Sequence, residues 1–334
     1  MRLPRRIPAG PRACLRHPAA TESAALAFIL RVGGSPLRKT FADIGLLAVA
    51  GAIAVLQFGA FPLLFPPGGA GAVALIAVAA LSAPLHYGLM HETMHGNLFR
   101  SEVWNRAVGR VLGVTLGLPW ETMRFGHLAH HAFNRHKFDR PEYLSPGDTH
   151  AGAAPAYFAK LVLGNAVIYA LAPYLALPPI STTGRVVALM GTGEDNLPFR
   201  QAALRTFSNP ARRARIRFDL MAFVLLAVMA VIVWRAQWWV FALCILARWS
   251  VLSLLDNAPH YGMALDSRQE ARNTTFPRRL SFLVLNQNFH GIHHHTPDMH
   301  WTDLPDAFRA SSLDDDGSWI GAVLRQFRGP VRLS

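Results

Sequence analysis

Nine histidines in this chain stand at spacings that suit metal binding. His91 and His95 lie four apart in His91-Glu92-Thr93-Met94-His95, so a helix through them puts both imidazoles on one side. His127, His130 and His131 in GHLAHHAFNRH repeat the idea at i, i+3 and i+4, and so do His290, His293 and His294 in NFHGIHHHTP. His260 stands alone in DNAPHYG. A structural zinc closes its shell with four ligands, so nine imidazoles fit two ions better, with a position left for oxygen. One HxxHH in an arbitrary protein is more often surface histidine. Two copies plus an HxxxH directly after an apolar stretch favour a metal site.

Other polar residues invite weaker assignments. His86 lies inside an apolar run and reads as a hydrogen-bonded packing residue. His17, His136, His150, His295 and His300 read as non-ligands. Asp256 and Asn257 stand where they can orient His260 or a metal-bound water, and a helix cap explains them equally well. Arg248 falls within an apolar stretch, where an arginine is usually paired, and Asp219 is a candidate partner. The first histidine pair is also literally HExxH, the zinc-protease pattern in which Glu92 would be general base, but that chemistry leaves six histidines of the later clusters unexplained. A metal carrier or sensor without catalysis is a third class.

The elements that must position these side chains are apolar. Hydrophobic residues make up 51% of the 334 and charged ones only 16%, which points to an all-α integral membrane protein. Ile44 to Phe65 and Ala70 to Met90 are long enough to span a bilayer and are separated by Pro66, Pro67, Gly68 and Gly69; Ile216 to Trp234 and Trp238 to Leu255 are separated by Arg235, Ala236 and Gln237. The expectation is four transmembrane helices as two hairpins, with Trp234, Trp238 and Trp239 as an aromatic belt. Val103 to Trp120 carries Arg106 and Arg110, and Tyr157 to Ile180 is broken by Pro173, Pro178 and Pro179, so both are assigned to interfacial helices. Were either to cross alone, the histidine clusters would face opposite sides of the membrane. The chain then reads as one domain: a basic arm over 1–40, hairpins over 44–90 and 216–255, and cytoplasmic or interfacial segments over 91–215 and 256–334, ending in a cap. The first histidine pair continues the second span, and the second and third clusters are placed in flanking loops.

Charge sets the orientation. Eight Lys and Arg precede the first span, fifteen lie between Arg100 and Arg217 and eight follow Asn257, against Arg235 alone in the two short turns. Both termini and the histidines are therefore expected in the cytoplasm. The net charge of +13 is then orientation and lipid contact, not nucleic-acid binding. Cys14 and Cys244 are too few for a disulfide framework or a thiolate metal site. Arg outnumbers Lys by 30 to 3, the bias of a GC-rich genome, and a bacterial inner membrane is the expected location.

HETMH, HLAHH and HGIHH in this order, with apolar spans around them and MHWTDLPDAF after the last, resemble the membrane fatty-acid desaturase superfamily, which also holds acyl hydroxylases, alkane hydroxylases and carotenoid ketolases. The likeness runs from the first span to that closing segment. It implies two iron ions held by His91, His95, His127, His130, His131, His290, His293 and His294, with His260 matching a further family histidine, and O2 as co-substrate. It also implies an aliphatic substrate, most specifically a fatty-acyl lipid undergoing desaturation, with hydroxylation or ketolation of an alkane, sphingolipid or carotenoid as the alternative. Three residues inside the first box are like acyl-lipid desaturases and hydroxylases, whereas NAPHYG is similar to the NYxEHYG of alkane hydroxylases with Pro259 where that motif has Glu. Removing hydrogen from an unactivated methylene needs an oxidant beyond any side chain, and two electrons per turnover. No iron–sulfur cysteine set, convincing GxGxxG or haem module is apparent, so an external donor of ferredoxin, rubredoxin or cytochrome type is implied.

Overall fold

The structure, a computed structural model, describes residues 36–65, 69–145, 147–189 and 197–332. The basic arm before residue 36, with His17 and Cys14, and the linker residues Pro66, Pro67 and Gly68 lie outside the described residues. The described chain is helical, and its β-pairing is limited to isolated bridges such as Asn273 with Phe289.

Helix α1 (Pro36–Val55) runs through a π turn at Leu56–Ala60 into a last turn at Phe61–Leu64. Helix α2 (Gly69–His95) is Ala-rich in its first half, and Ala72, Ala79 and Ala83 are buried, which lets neighbouring helices approach closely. Helices α3 (Glu102–Leu116) and α4 (Trp120–Phe133) follow. At 15 residues α3 is about 22 Å long, too short to cross hydrocarbon. It exposes Val103, Trp104 and Val111 and buries Asn105, Leu112 and Leu116 on its other side. Gly117 ends it at φ +74, and the Leu118 N–H reaches the Gly113 carbonyl at 2.8 Å, a Schellman cap that only a left-handed residue completes. That turn sends α4 back across α2.

The Tyr157 to Ile180 stretch is broken, as its prolines require. It contains the end of α5 (His150–Ala159), a π turn at Lys160–Gly164, α6 (Asn165–Leu171) and a 3-10 turn at Ala172–Ala176 entered through Pro173. Helices α7 (Ile180–Leu189) and α8 (Leu197–Phe207) lead to α9 (Pro210–Trp234) and α10 (Trp238–Asn257). Between the last two, Arg235 adopts φ 51 and ψ −128 and the chain reverses. Phe223, twelve residues before that turn, and Trp249, fourteen after it, both pack on the site of Gly117, so α9 and α10 lie antiparallel. The cap contains α11 (His290–His295), α12 (Leu304–Ala310) and α13 (Trp319–Arg325).

Among the described residues, three helical segments are long and apolar enough to cross a membrane: Lys39–Leu64, Gly69–His95 and the 48-residue Pro210–Asn257, which contains the reversal. Two expectations need correction here. Trp234 is buried, with its Nε1–H on the Gln57 carbonyl at 3.0 Å, so of the three expected belt tryptophans only Trp238 and Trp239 face outward. Arg248 does not meet Asp219. Its Nη1 lies 3.2 Å from His86 Nδ1, whereas Asp219 takes Arg110 of α3 at 2.6 Å. Helix α3 presents its arginine where the α9 carboxylate is buried, and that pair ties α3 to α9. His86 is the packing residue expected, with Nε2 near the Leu112 carbonyl and the Thr115 hydroxyl.

Candidate metal centre

The C-terminal turn of α2 supplies His91 and His95, and α4 is docked directly on it. Trp120 Nε1–H donates to Thr93 Oγ1 at 2.9 Å and Arg124 Nε–H to the Met94 carbonyl at 3.1 Å. The second and third clusters occupy helices, not the loops expected, namely α4 and α11. Short as it is, α11 is held by side chains from a distance: Asn97 donates to the carbonyls of Pro297 and Met299, and Asn273 Oδ1 accepts the Ile292 N–H at 2.9 Å. A Cβ on Gly291 would sit 2.6 Å from the Ala271 carbonyl, so glycine is what lets α11 seat against the 271–273 strand-like segment.

All nine histidines meet there in two adjacent groups. One holds His91, His95, His127, His131 and His293, the other His130, His260, His290 and His294, and the ligand atoms within each lie inside 4.8 Å of one another. Helical geometry explains the division. Positions i and i+4 fall about 40° apart around a helix, while i+3 falls about 100° from i+4. In α4 the i, i+4 pair His127 and His131 joins the first group and His130 the second; in α11 the pair His290 and His294 joins the second group and His293 the first. Each HxxHH therefore serves both groups, and the two helices cross-link them.

The donor set fits metal ions. Nε2 atoms face one another at 3.1 Å (His91 and His293), 2.7 Å (His95 and His127), 3.0 Å (His131 and His293), 3.1 Å (His130 and His260) and 3.2 Å (His130 and His294). Imidazoles about 2.1 Å from a shared ion and at right angles would stand ~3.0 Å apart. Burial, reinforced by neighbouring imidazoles, holds His127, His131, His260, His290, His293 and His294 below the ordinary 6.5, which keeps their lone pairs available at neutral pH. His130 goes the other way. Burial lowers it, but the charge and hydrogen bond of Asp139, with Asp256, outweigh that and raise it.

Outer partners fix several rings. Asp139 Oδ2 takes His130 Nδ1 at 2.7 Å, the Glu270 carbonyl takes His260 Nδ1 at 3.1 Å, and the Gln287 amide lies 3.4 Å from Nδ1 of both His91 and His290, one from each group. Sequence reading missed Asp139, Glu270 and Gln287. Gln287 had a signal, standing three residues before His290, whereas Asp139 and Glu270 act through turns that have no period. Asn257 does not orient His260 with its side chain, which donates to Gln326 Oε1 at 3.2 Å; its carbonyl accepts the His260 and Tyr261 N–H groups, the capping role. Asp256 lines the cavity beside His130. His295 and His300 stay outside both groups, with His295 Nδ1 on the Gly291 carbonyl and His300 on Asp43. Glu92 is fully buried, with Oε2 accepting the Trp301 N–H at 3.1 Å, and does not line the cavity, so it is badly placed to be the base of a protease.

Beside the histidines lies a cavity of about 100 Å³, walled by Tyr87, Gly88, Leu252, Leu255 and Val284, with His91, His127, His130 and His290 on its floor. Both groups thus border one mainly apolar space.

Set against family models, the chain matches that of the fatty acid desaturases over residues 66–318. The chain belongs to the fatty acid desaturase family. No curated protein matches it. The match covers all nine histidines and most of the helical body, so membership carries an oxidoreductase of lipid substrates associated with a membrane. Desaturases of this family are typically iron-dependent, and the two histidine groups can hold metal.

Proposed function

We propose that this chain is a membrane-bound diiron oxidoreductase that uses O2 on an aliphatic chain, most specifically an acyl-lipid desaturase. The observation that carries the reading is the pair of histidine groups, five and four, which border one mainly apolar cavity through His91, His127, His130 and His290. His91, His95, His127, His131 and His293 would hold one iron and His130, His260, His290 and His294 the other. Bound there, the irons supply the O2-derived oxidising power that hydrogen removal from a methylene demands.

The protein's own part is placement and exclusion. Tyr87, Leu252, Leu255 and Val284 accept hydrocarbon and deny water, so a methylene is presented to the histidine floor. Asp139 keeps His130 Nδ1 protonated and its Nε2 directed inward, and the Glu270 carbonyl does the same for His260. Desaturation consumes O2, two electrons and two protons, removes two hydrogens from adjacent carbons and releases two waters. The electrons come from an external ferredoxin, rubredoxin or cytochrome.

For topology we infer four crossings as two hairpins, within one domain. At 48 residues the Pro210–Asn257 segment is about twice the length one crossing needs, and it reverses at Arg235. The excess of Lys and Arg outside the short turns then puts both termini and the histidines in the cytoplasm, of a bacterium on the Arg-rich composition. The test is chromatography and mass spectrometry of lipids and pigments from a host expressing the chain beside a His130→Ala control. Acyl chains short of two hydrogens are expected only with the parent protein. An added oxygen instead would make it a hydroxylase, and identical profiles with iron, O2 and reductant in supply would sink the oxidase reading.

A further inference from the structure

A second cavity adjoins the first, and its chemistry is different. It has a volume of about 540 Å³ and shares Asn288 with the histidine cavity as a common wall. The wall alternates: Val284, Gln287 and His290 face the histidine cavity, and Phe282, Asn286 and Phe289 the second. Its other lining residues include the cations Lys39, Arg278 and Arg309 and the carboxylate Asp306. Lys39 is paired with Asp303 at 2.5 Å and Arg309 with Asp306, which leaves Arg278 as the lining cation without an acidic partner among the described residues.

Two polar atoms in this wall are unsatisfied. Asn286 and Asn288 are 6% and 2% exposed; their Nδ2 groups donate to the carbonyls of Trp301 and Thr274, but neither Oδ1 has a partner. A ligand or water can complete a buried acceptor without a donor, and these two differ from the other such atoms among the described residues in belonging to residues that line this cavity. The cavity also sits at a definite height. Lys39 is the first residue of a segment apolar enough to cross the membrane, and Leu280, Phe282 and Leu283 are exposed beside Arg278 and Arg279, the arrangement of a segment seated in the lipid interface.

We propose that this second cavity is a headgroup site for a phosphate-bearing acyl lipid. The phosphate meets Arg278, hydroxyl or amine donors beyond it reach Asn286 and Asn288 Oδ1, and the acyl chain continues past Asn288 toward the histidines. The inference rests on the reading of the histidine cavity as the oxidising site, and narrows the substrate from any aliphatic chain to one carried on a phosphodiester. Headless hydrocarbons leave both amide oxygens and Arg278 without partners. A free phosphate could meet Arg278 too, but it has no apolar part to match the exposed Phe282 in the cavity's lining.

Binding of short-chain phosphatidylglycerol to the purified full-length protein in detergent tests this, against the matching diacylglycerol, with inorganic phosphate as competitor. Phosphatidylglycerol is expected to bind at least about tenfold tighter than diacylglycerol. Arg278→Glu should lose that margin and Arg278→Lys keep most of it, while Arg279→Glu, the same charge change beside the cavity but outside its lining, should leave it in place. Equal binding of diacylglycerol, equal loss in the Arg278→Glu and Arg279→Glu proteins, or displacement by inorganic phosphate at matching concentration would each overturn the proposal. Phosphate-dependent binding in a protein that oxidises no lipid would sink the oxidase reading and leave the headgroup site standing. Oxidation of lipid without any phosphate preference in binding would do the reverse.

Discussion

The two histidine groups are built differently although they share helices. The five-member group takes two i, i+4 pairs from α2 and α4, packed helices tied at Trp120 and Arg124, and adds only His293 from the cap. The four-member group draws on three separate pieces, α4, the turn after α10 and α11, and its His260 depends on a backbone carbonyl of a loop. Its His130 also has a carboxylate partner and a raised pKa, where the neighbours outside the apolar spans are lowered. A metal site set on packed helices is over-determined; one assembled from turns depends on every tether. The four-member group should therefore be the first to fail.

Substitutions can break that contrast. The largest effect is expected from His260→Ala, which leaves the second group three donors: product formation should fall at least about 100-fold, since losing an outer partner alone costs 10–100-fold. Bound iron should drop by half. His95→Ala leaves four donors in its group, and metal analysis should find a smaller loss of iron there; equal losses would mean the groups do not fill independently. Next comes Asp139→Asn, which keeps the hydrogen bond and removes the charge, and should weaken iron binding by about 10-fold or more at the four-member group. Iron titration of the purified variant reads it.

Acid sharpens the comparison further. In metal-stripped protein, His127, His131, His260, His290, His293 and His294 resist protonation when folded but take protons near 6.5 when unfolded, so they destabilise the fold as pH drops below that value. His130 is raised and acts oppositely, its stabilisation present below 6.5 and lost as pH rises through its folded value. The six outweigh the one. The thermal midpoint of chelator-treated protein should fall by at least ~4 °C between pH 7 and pH 5, and an unchanged midpoint would contradict the burial described. The smallest effect is expected for Glu92→Gln. Its oxygen can still accept the Trp301 N–H, so lipid oxidation should stay within about tenfold of the parent, where a protease would lose nearly all activity.

Much of this was legible in the chain itself, for reasons that differ by residue. The histidine spacing survives because the helix period is local: four residues put His91 and His95 on one side whatever surrounds them. Hydrocarbon length is equally local, so the long apolar stretches and the breaks at Pro173 and Arg235 could be read directly. Partnerships of charges could not. Asp219 is as near to Arg248 in composition as to Arg110, and only the approach of α3 to α9 decides between them. Trp234 is read as a belt residue until the Gln57 carbonyl is found beside it.

Sequence alone, then, determined that the histidines recur at i, i+3 and i+4 and that the body is helical and apolar, because both follow from short-range spacing or composition; the family of lipid oxidoreductases was legible through the resemblance of HETMH, HLAHH and HGIHH to its boxes. The tertiary structure decided that each HxxHH is divided between two groups, that Asp139 and Gln287 hold the rings, and that a basic cavity shares Asn288 with the apolar one. Those facts depend on where a helix lands after a turn: Asp139 reaches His130 only because the chain folds back over nine residues, and Gln287 reaches His91 across 196, and no helical period encodes either approach.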